Sequence, residues 1–234
     1  MARTIGTNSQ IHPFTNQSKT LISCNFKKKT VLKDTFIELL KNYTDNDPLK
    51  EELWTEIEKN YSDEKRYYHT LQHLDNLLRQ LSEVKGDIKN WETILFTLYY
   101  HDIIYNPLKS DNEEKSAVLA EKRMKEISVS SEIINHCKKQ ILATKGHNKS
   151  TDNDTNYFTD ADLSVLGQPW ETYSKYYKNI RKEYSVYPDL VYHTGRKNVV
   201  RHFLSMDRIF KTDFFFNKFE TQAKRNLTKE LHIL

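Results

Sequence analysis

The longest apolar stretch of the chain is ILFTLYY, residues 94–100, and His101-Asp102 follows it directly. We predict a helix around it, from about Ile88 to Ile104. A helix that is apolar nearly all round lies inside a fold, so this helix is the predicted centre of the protein. The stretch is far shorter than the roughly 20 residues of a membrane span, so the sequence does not indicate a membrane protein.

Apolar residues recur at helical spacing on both sides of this central helix. No stretch alternates as a strand does, and no internal repeat is visible, so the sequence predicts an all-α helical bundle. The polar stretch from Lys145 to Asn156 is predicted to be a loop. Six of the other predicted helices cover residues 30–43, 71–81, 131–143, 170–184, 197–210 and 220–231. Three more are predicted by where they begin: one is capped by Asp47, one opens with the capping box Ser110-Asp111-Asn112-Glu113, and one starts at Ala161.

The chain has 234 residues with 36 basic and 32 acidic side chains, which gives a formal net charge of +4. The two signs are interspersed and form no basic stripe, so a nucleic acid polymer is not an expected partner. Cys24 and Cys137 form no CxxC motif, which favours a reducing, cytoplasmic location. Residues 1–29 are polar and are predicted to form a flexible arm, and residues 30–234 a single domain.

Two histidines, His69 and His73, lie four residues apart in the sequence YHTLQH, residues 68–73. Residues with this spacing share one face of a helix, so both side chains can serve one site. The same pattern also fits two partly exposed histidines beside a row of leucines.

Two acidic segments are candidate metal-binding segments. One is His101-Asp102 after the central helix, and the other contains Asp160 and Asp162 downstream. A buried carboxylate is costly unless a cation or hydrogen bonds compensate it. A divalent metal accepts imidazole and carboxylate ligands together. The structural alternatives are an Asp102 that contacts solvent and an Asp162 that forms a capping box with Thr159.

Further polar residues suit a phosphate site, because guanidinium groups pair with phosphate through two N–H groups. Glu113 is a candidate to orient water, although it also completes the predicted capping box. His147 either contacts phosphate or belongs to a polar turn after Gly146. The tyrosine-rich segment 173–187 fits a base-binding pocket or the core. The candidate phosphate partners, each of which also fits a surface ion pair, are Arg66, Lys145, Arg181 and Arg196.

Seven sequence blocks between Arg66 and Glu230 occur in a characteristic order: RYYHTLQHL, HDIIYNP, NEEKSA, ATKGH, DADLSVLG, IRKEY and KRNLTKE. Together they resemble a bacterial-type family of predicted phosphohydrolases in the HD superfamily, which consists of all-α, metal-dependent proteins. Residues 1–29 lie outside the resemblance. The metal ligands that the resemblance implies are His73, His101, Asp102 and Asp162.

The cyclic nucleotide phosphodiesterases, distant relatives in the HD superfamily, help to separate the neighbouring candidates. They have a Tyr-His followed by a metal-binding His, and later an Ala-Asp-Leu-Ser whose Asp binds metal. By that analogy His69 donates a proton to the leaving oxygen and His73 is the ligand, while Asp162 is favoured over Asp160. The chain departs from the phosphodiesterases outside these blocks, so cyclic nucleotide substrates do not follow.

The function that the resemblance implies is metal-dependent hydrolysis of a nucleotide or another small phosphate ester, with metal-activated water as the nucleophile. Its imidazole and carboxylate ligands suit Mn, Fe, Co, Ni, Zn or Mg. A second metal would make His147 a candidate ligand. One alternative is a regulatory or ligand-binding module that keeps the metal without turnover. Another is a helical interaction protein that binds no metal.

Overall fold

The computed structural model describes residues 31–234, so the predicted arm and Cys24 lie outside the described residues. Every regular element in the described part is a helix, which confirms the predicted all-α fold. No helix within residues 31–234 is both long and apolar enough to cross a bilayer. The helices are α1 (31–41), α2 (Asp47–Tyr61), α3 (Leu71–Glu83), α4 (Trp91–Tyr100), α5 (Asn112–Glu126), α6 (Ser131–Ala143), α7 (Asn153–Asp162), α8 (Trp170–Glu183), α9 (Asp189–Ser205) and α10 (Asp213–Ile233), with 3₁₀ turns at Lys85–Asp87 and Leu163–Gly167.

Capping side chains fix the two helices that carry the candidate histidines. The Thr70 hydroxyl accepts a hydrogen bond from a backbone N–H of α3, which places His73 in the first turn of that helix. The Asn90 side chain accepts a hydrogen bond from the Thr93 N–H at 2.9 Å. This cap starts α4 later than predicted, and the helix is shorter at both ends than the predicted range 88–104.

Two other predicted helix starts differ from the observed ones. Asn46, and not Asp47, caps α2, because its side-chain oxygen accepts a hydrogen bond from the Leu49 N–H. The capping box predicted for α5 does not form, since Asp111 occupies the cap position and its side chain accepts no hydrogen bond from a backbone N–H of the helix. Both helices nevertheless begin within two residues of the predicted position.

The central position predicted for α4 agrees with its burial. Its side chains from Thr93 to Tyr100 are all buried, and the helix packs against α3, α5 and α6. The surrounding core extends along the chain from Leu32 in α1 to Leu227 in α10. Cys137 of α6 is fully buried in this core, and burial raises the pKa of its thiol to about 12. The thiol therefore stays protonated at neutral pH.

The segment before Asp162 is helical where the sequence predicts a loop. Helix α7 begins inside the predicted loop 145–156, because Asp152 caps it through hydrogen bonds from the Thr155 N–H and hydroxyl. Asp162 is therefore the last residue of α7. The alternative in which Asp162 forms a capping box at a helix start is wrong.

The end of α7 and the 3₁₀ turn after it are fixed to α10 and the segment before it. The buried Asp160 carboxylate accepts hydrogen bonds from the Lys211 and Thr212 N–H groups, at 2.9 and 2.7 Å. A Cβ on Gly167 would lie only 2.4 Å from the Phe219 Cβ, so this close approach requires glycine. These contacts give Asp160 a structural role and hold the neighbouring Asp162 in place.

Candidate metal centre and cavity

Residues from three separate helices meet at one point. His73 lies in the first turn of α3, His101 and Asp102 follow α4, and Asp162 ends α7. One ligand atom each from His73, His101 and Asp162 lies within 4.8 Å of the others. Asp102 lies beside this group, with its Oδ2 3.1 Å from His101 Nε2 and 3.8 Å from His73 Nε2. The structure therefore brings the four expected ligands together.

The spacing and chemistry of these groups fit a divalent metal. The Nε2 atoms of His73 and His101 are 3.1 Å apart, and His73 Nε2 is 3.3 Å from Asp162 Oδ1. Adjacent ligands that each lie about 2.1 Å from one ion, at right angles, are about 3 Å apart. A mixed set of imidazole and carboxylate donors suits transition metals, and the carboxylates also accept Mg.

Neighbouring groups orient two of the ligands. His101 Nδ1 lies 3.0 Å from the Leu98 carbonyl oxygen. Because a carbonyl can only accept, Nδ1 carries the proton and Nε2 offers its lone pair in the neutral ring. The two oxygens of the Asp162 carboxylate have different partners. Oδ1 faces His73, and Oδ2 lies 3.0 Å from His147 Nε2.

The two carboxylates make this cluster attractive to a cation. Burial lowers the pKa of His101, but Asp102 and Asp162 raise it more, so that the pKa is raised to about 9. Burial raises the pKa of both carboxyls, but the neighbouring histidines lower it below the usual range. Buried ionised carboxylates require compensation, and either protons on the histidines or a metal ion can provide it.

Glu183, at the end of α8, holds His69 in position. Its Oε2 lies 2.7 Å from His69 Nδ1 and also accepts a hydrogen bond from the Tyr105 hydroxyl. Its Oε1 accepts the backbone N–H groups of residues 67–69. His69 Nδ1 therefore carries its proton toward Glu183, while Nε2 faces Asp102 Oδ2 at 3.8 Å.

Sequence reasoning missed Glu183, although it lies within the IRKEY block. No spacing rule connects it with His69, which is 114 residues away along the chain. Burial raises the pKa of the Glu183 carboxyl, but the hydrogen bonds from His69 and the backbone lower it to about 2. Glu183 is therefore an ionised partner that fixes the orientation of the His69 ring.

Arg66, a predicted phosphate partner, holds the backbone of the site instead of lining the cavity. Its buried guanidinium donates to the carbonyl oxygens of Asp102 at 2.7 Å, Ile103 at 2.8 Å and His69 at 3.3 Å. Both terminal nitrogens of the guanidinium donate in these contacts, and the side chain does not line the neighbouring cavity. Arg66 thereby links the backbone of a candidate metal ligand, Asp102, to that of the candidate acid, His69.

A cavity of about 650 Å³ lies beside the candidate metal ligands, a size within the range of roughly 300–1,000 Å³ that is usual for small-molecule sites. Two further predicted residues, Glu113 and Lys145, line it. The Lys145 ammonium pairs with Glu114 and lies 3.8 Å from Glu113. The site residues in the cavity wall are His69, Asp102, His147 and Asp162.

The two remaining predicted arginines are engaged in ion pairs. Arg181 does not line the cavity and pairs with Asp189 at 2.7 Å, which agrees with the ion-pair alternative. Arg196 does line the cavity, but its buried guanidinium forms two hydrogen bonds with Glu230, at 2.7 and 2.9 Å. The charge of Arg196 is therefore already compensated.

His147 has a left-handed backbone, with φ of 50°, which is uncommon for a residue other than glycine. Its N–H donates to the Ala143 carbonyl at 2.9 Å and closes the end of α6. The sequence places this turn at Gly146, one residue earlier. The observed turn directs the His147 imidazole to Asp162.

We expect His147→Gly to be more stable than His147→Ala by about 1 kcal/mol, because glycine adopts positive φ without steric cost. Both variants lose the imidazole contact to Asp162, so their difference isolates the backbone. Urea unfolding in the presence of EDTA measures it without a contribution from bound metal. Equal free energies of unfolding for the two variants would contradict the assigned backbone strain.

Comparison of the chain with protein-family models, with curated proteins and with solved structures gives no match. The resemblance to the HD superfamily therefore rests on the sequence blocks and stays a prediction. Function must be inferred from the ligand group and from the cavity beside it.

Proposed function

We propose that the chain is a metal-dependent phosphohydrolase of the HD type, which acts on a nucleotide or another small phosphate ester in the cytoplasm. The observation that carries the proposal is the meeting of two histidines and two aspartates beside a cavity whose wall also contains His69. Ligands, a candidate acid and space for a small substrate are the parts that such a reaction needs. The cytoplasmic location rests on cysteine usage.

A divalent metal, when bound, would supply water of lowered pKa as the nucleophile and offset charge on the phosphoryl group. The chain itself would position the reactants. His69, held at Nδ1 by Glu183, would donate a proton from Nε2 to the leaving oxygen. Lys145 and His147 line the same cavity and would contact the phosphate oxygens, and Glu113 is the candidate to orient water.

Two measurements separate this proposal from its rivals. Elemental analysis of the purified full chain tests for a metal, and we expect about one or two equivalents per chain. Phosphate release is then screened with Mn²⁺ on adenosine 5′-monophosphate and p-nitrophenyl phosphate, and p-nitrophenol release on bis(p-nitrophenyl) phosphate. Turnover of at least one is expected. A metal-loaded protein that hydrolyses none would be a regulatory or ligand-binding module, and a protein without affinity for metal would contradict the ligand assignment.

A further inference from the structure

One wall of the cavity is apolar and aromatic, and the proposed chemistry does not use it. It is formed by one face of α8, with the residue that follows this helix, and by one face of α9, at spacings of three or four residues. We call it the α8–α9 wall. Its residues are Tyr176, Ile180, Tyr184, Val191, Tyr192, Gly195 and Val199.

The α9 face of this wall leaves room for a ligand. Val191 and Val199 are 55% and 44% exposed although both are apolar. Between them lies Gly195, where an added Cβ would meet no atom within 4 Å. Glycine inside a helix is unfavourable relative to alanine, and no close approach requires it here. Open space bordered by exposed apolar side chains fits an apolar group of a ligand.

Tyr192 adds a polar group to this wall. Its hydroxyl is buried and has no hydrogen-bond partner among residues 31–234. The ring is held by the Arg181 guanidinium at 4.7 Å and by the Tyr184 ring at 6.0 Å. Burial raises the pKa of Tyr192 to about 12, so the hydroxyl keeps its proton and can donate. Buried hydroxyls normally have a partner, and a ligand with acceptor atoms can provide one.

The α8–α9 wall carries no free charge. Of the described α8 and α9 residues that line the cavity, the charged one is Arg196. Its guanidinium pairs with Glu230, which also accepts a hydrogen bond from Tyr173. A second phosphate at this wall would lack an unpaired cation, whereas a neutral, flat ring would stack on tyrosine. The wall therefore favours an uncharged aromatic group.

We propose that the α8–α9 wall binds the base of a nucleoside monophosphate, whose phosphate group lies at the metal ligands. The inference rests on the proposed function for the phosphate end and adds the class of the substrate's organic group. A sugar phosphate would leave the apolar wall without contact, and the further phosphates of a nucleoside triphosphate would meet no unpaired cation at this wall. Tyr192 and the open space at Gly195 set the preference for the base.

Kinetics of the full chain with Mn²⁺ test the preference. We expect kcat/KM for adenosine or uridine 5′-monophosphate to exceed that for ribose 5-phosphate by about tenfold or more.

Gly195→Leu should fill the open space and lower kcat/KM for the nucleotides by about tenfold, with little change for ribose 5-phosphate. Tyr192→Phe should lower the same preference without lowering Tm, since it removes a hydroxyl that has no partner. Gly86→Leu is the matched control, because a Cβ there also meets open space but Gly86 does not line the cavity.

Calorimetric binding of adenosine and uridine to the protein in EDTA separates the inference from the proposed function. Nucleoside binding that Gly195→Leu weakens and Gly86→Leu preserves supports the base site, even if no phosphate ester is hydrolysed. Hydrolysis with equal kcat/KM for ribose 5-phosphate and the nucleotides overturns the base site while the proposed function stands. Retention of the full nucleotide preference in both Gly195→Leu and Tyr192→Phe also overturns it.

Discussion

His69→Ala is expected to keep its metal and to lose about a hundredfold or more in kcat on an alkyl phosphate such as a nucleotide. The reason is that His69 Nε2 lies at the cavity beside Asp102, while Nδ1 is anchored by Glu183. The loss should be much smaller on p-nitrophenyl phosphate, because nitrophenolate leaves without needing a proton. Steady-state kinetics on both substrates, with elemental analysis of the variant, measure the effect.

Glu183→Gln tests the same assignment through the positioning residue. The glutamine carbonyl can still accept the backbone N–H groups of residues 67–69, but its NH₂ group donates and therefore favours a bare Nδ1 on His69. We expect kcat to fall on the nucleotide and metal content to stay unchanged. Loss of metal from His69→Ala would contradict the assignment, because His69 would then be a ligand one helical turn before His73.

His73→Ala is expected to empty the metal centre. The variant removes an Nε2 that lies 3.1 Å from His101 Nε2 and 3.3 Å from Asp162 Oδ1. A metal at about a hundred times its Kd stabilises the native protein by about 2.7 kcal/mol, and this gain should largely disappear. Elemental analysis gives the metal content, and urea unfolding with Mn²⁺ and with EDTA gives the stabilisation as a difference.

His136→Ala is the matched control for His73→Ala. His136 is an exposed histidine of α6 outside the ligand group, so its loss should leave metal content and the stabilisation by Mn²⁺ unchanged. For each variant, the free energy of unfolding in EDTA is subtracted from that in Mn²⁺. This difference cancels the effect of the lost side chain on the metal-free fold. A His73→Ala protein that retains the full Mn²⁺ stabilisation would place the metal elsewhere.

Features set by neighbouring residues were predictable from the sequence. The bounds of α6 agree with the prediction, and those of α8 agree within one residue, because helical periodicity and local caps determine them. The candidate ligand residues were also named from the sequence, because the HD-like blocks keep His73, the His101-Asp102 pair and Asp162 in a recognisable order. The folded chain brings these four residues together beside one cavity, as expected from the order of the blocks in the sequence.

Features that depend on tertiary contacts could not be predicted. Helix α7 was missed because its first turn is rich in Asn and Asp, residues that are typical of loops, and because the Asp152 cap lies within a polar stretch. The roles of Arg66 and Glu183 depend on backbone groups that come close only in the folded chain. From the sequence alone, a basic or acidic residue next to a motif fits a contact with substrate as well as a structural contact within the protein.

The burial of Cys137 provides a built-in chemical reporter of core opening. Only the thiolate reacts with alkylating reagents, and a fully buried thiol with a pKa of about 12 is protected in the native state. Alkylation at this position, followed by peptide mass spectrometry, therefore reports how often α6 separates from the core. A cation that binds only the native protein would slow the labelling of Cys137 in proportion to its own affinity. Metal ions tested one at a time could thus be ranked by affinity without any assay of turnover.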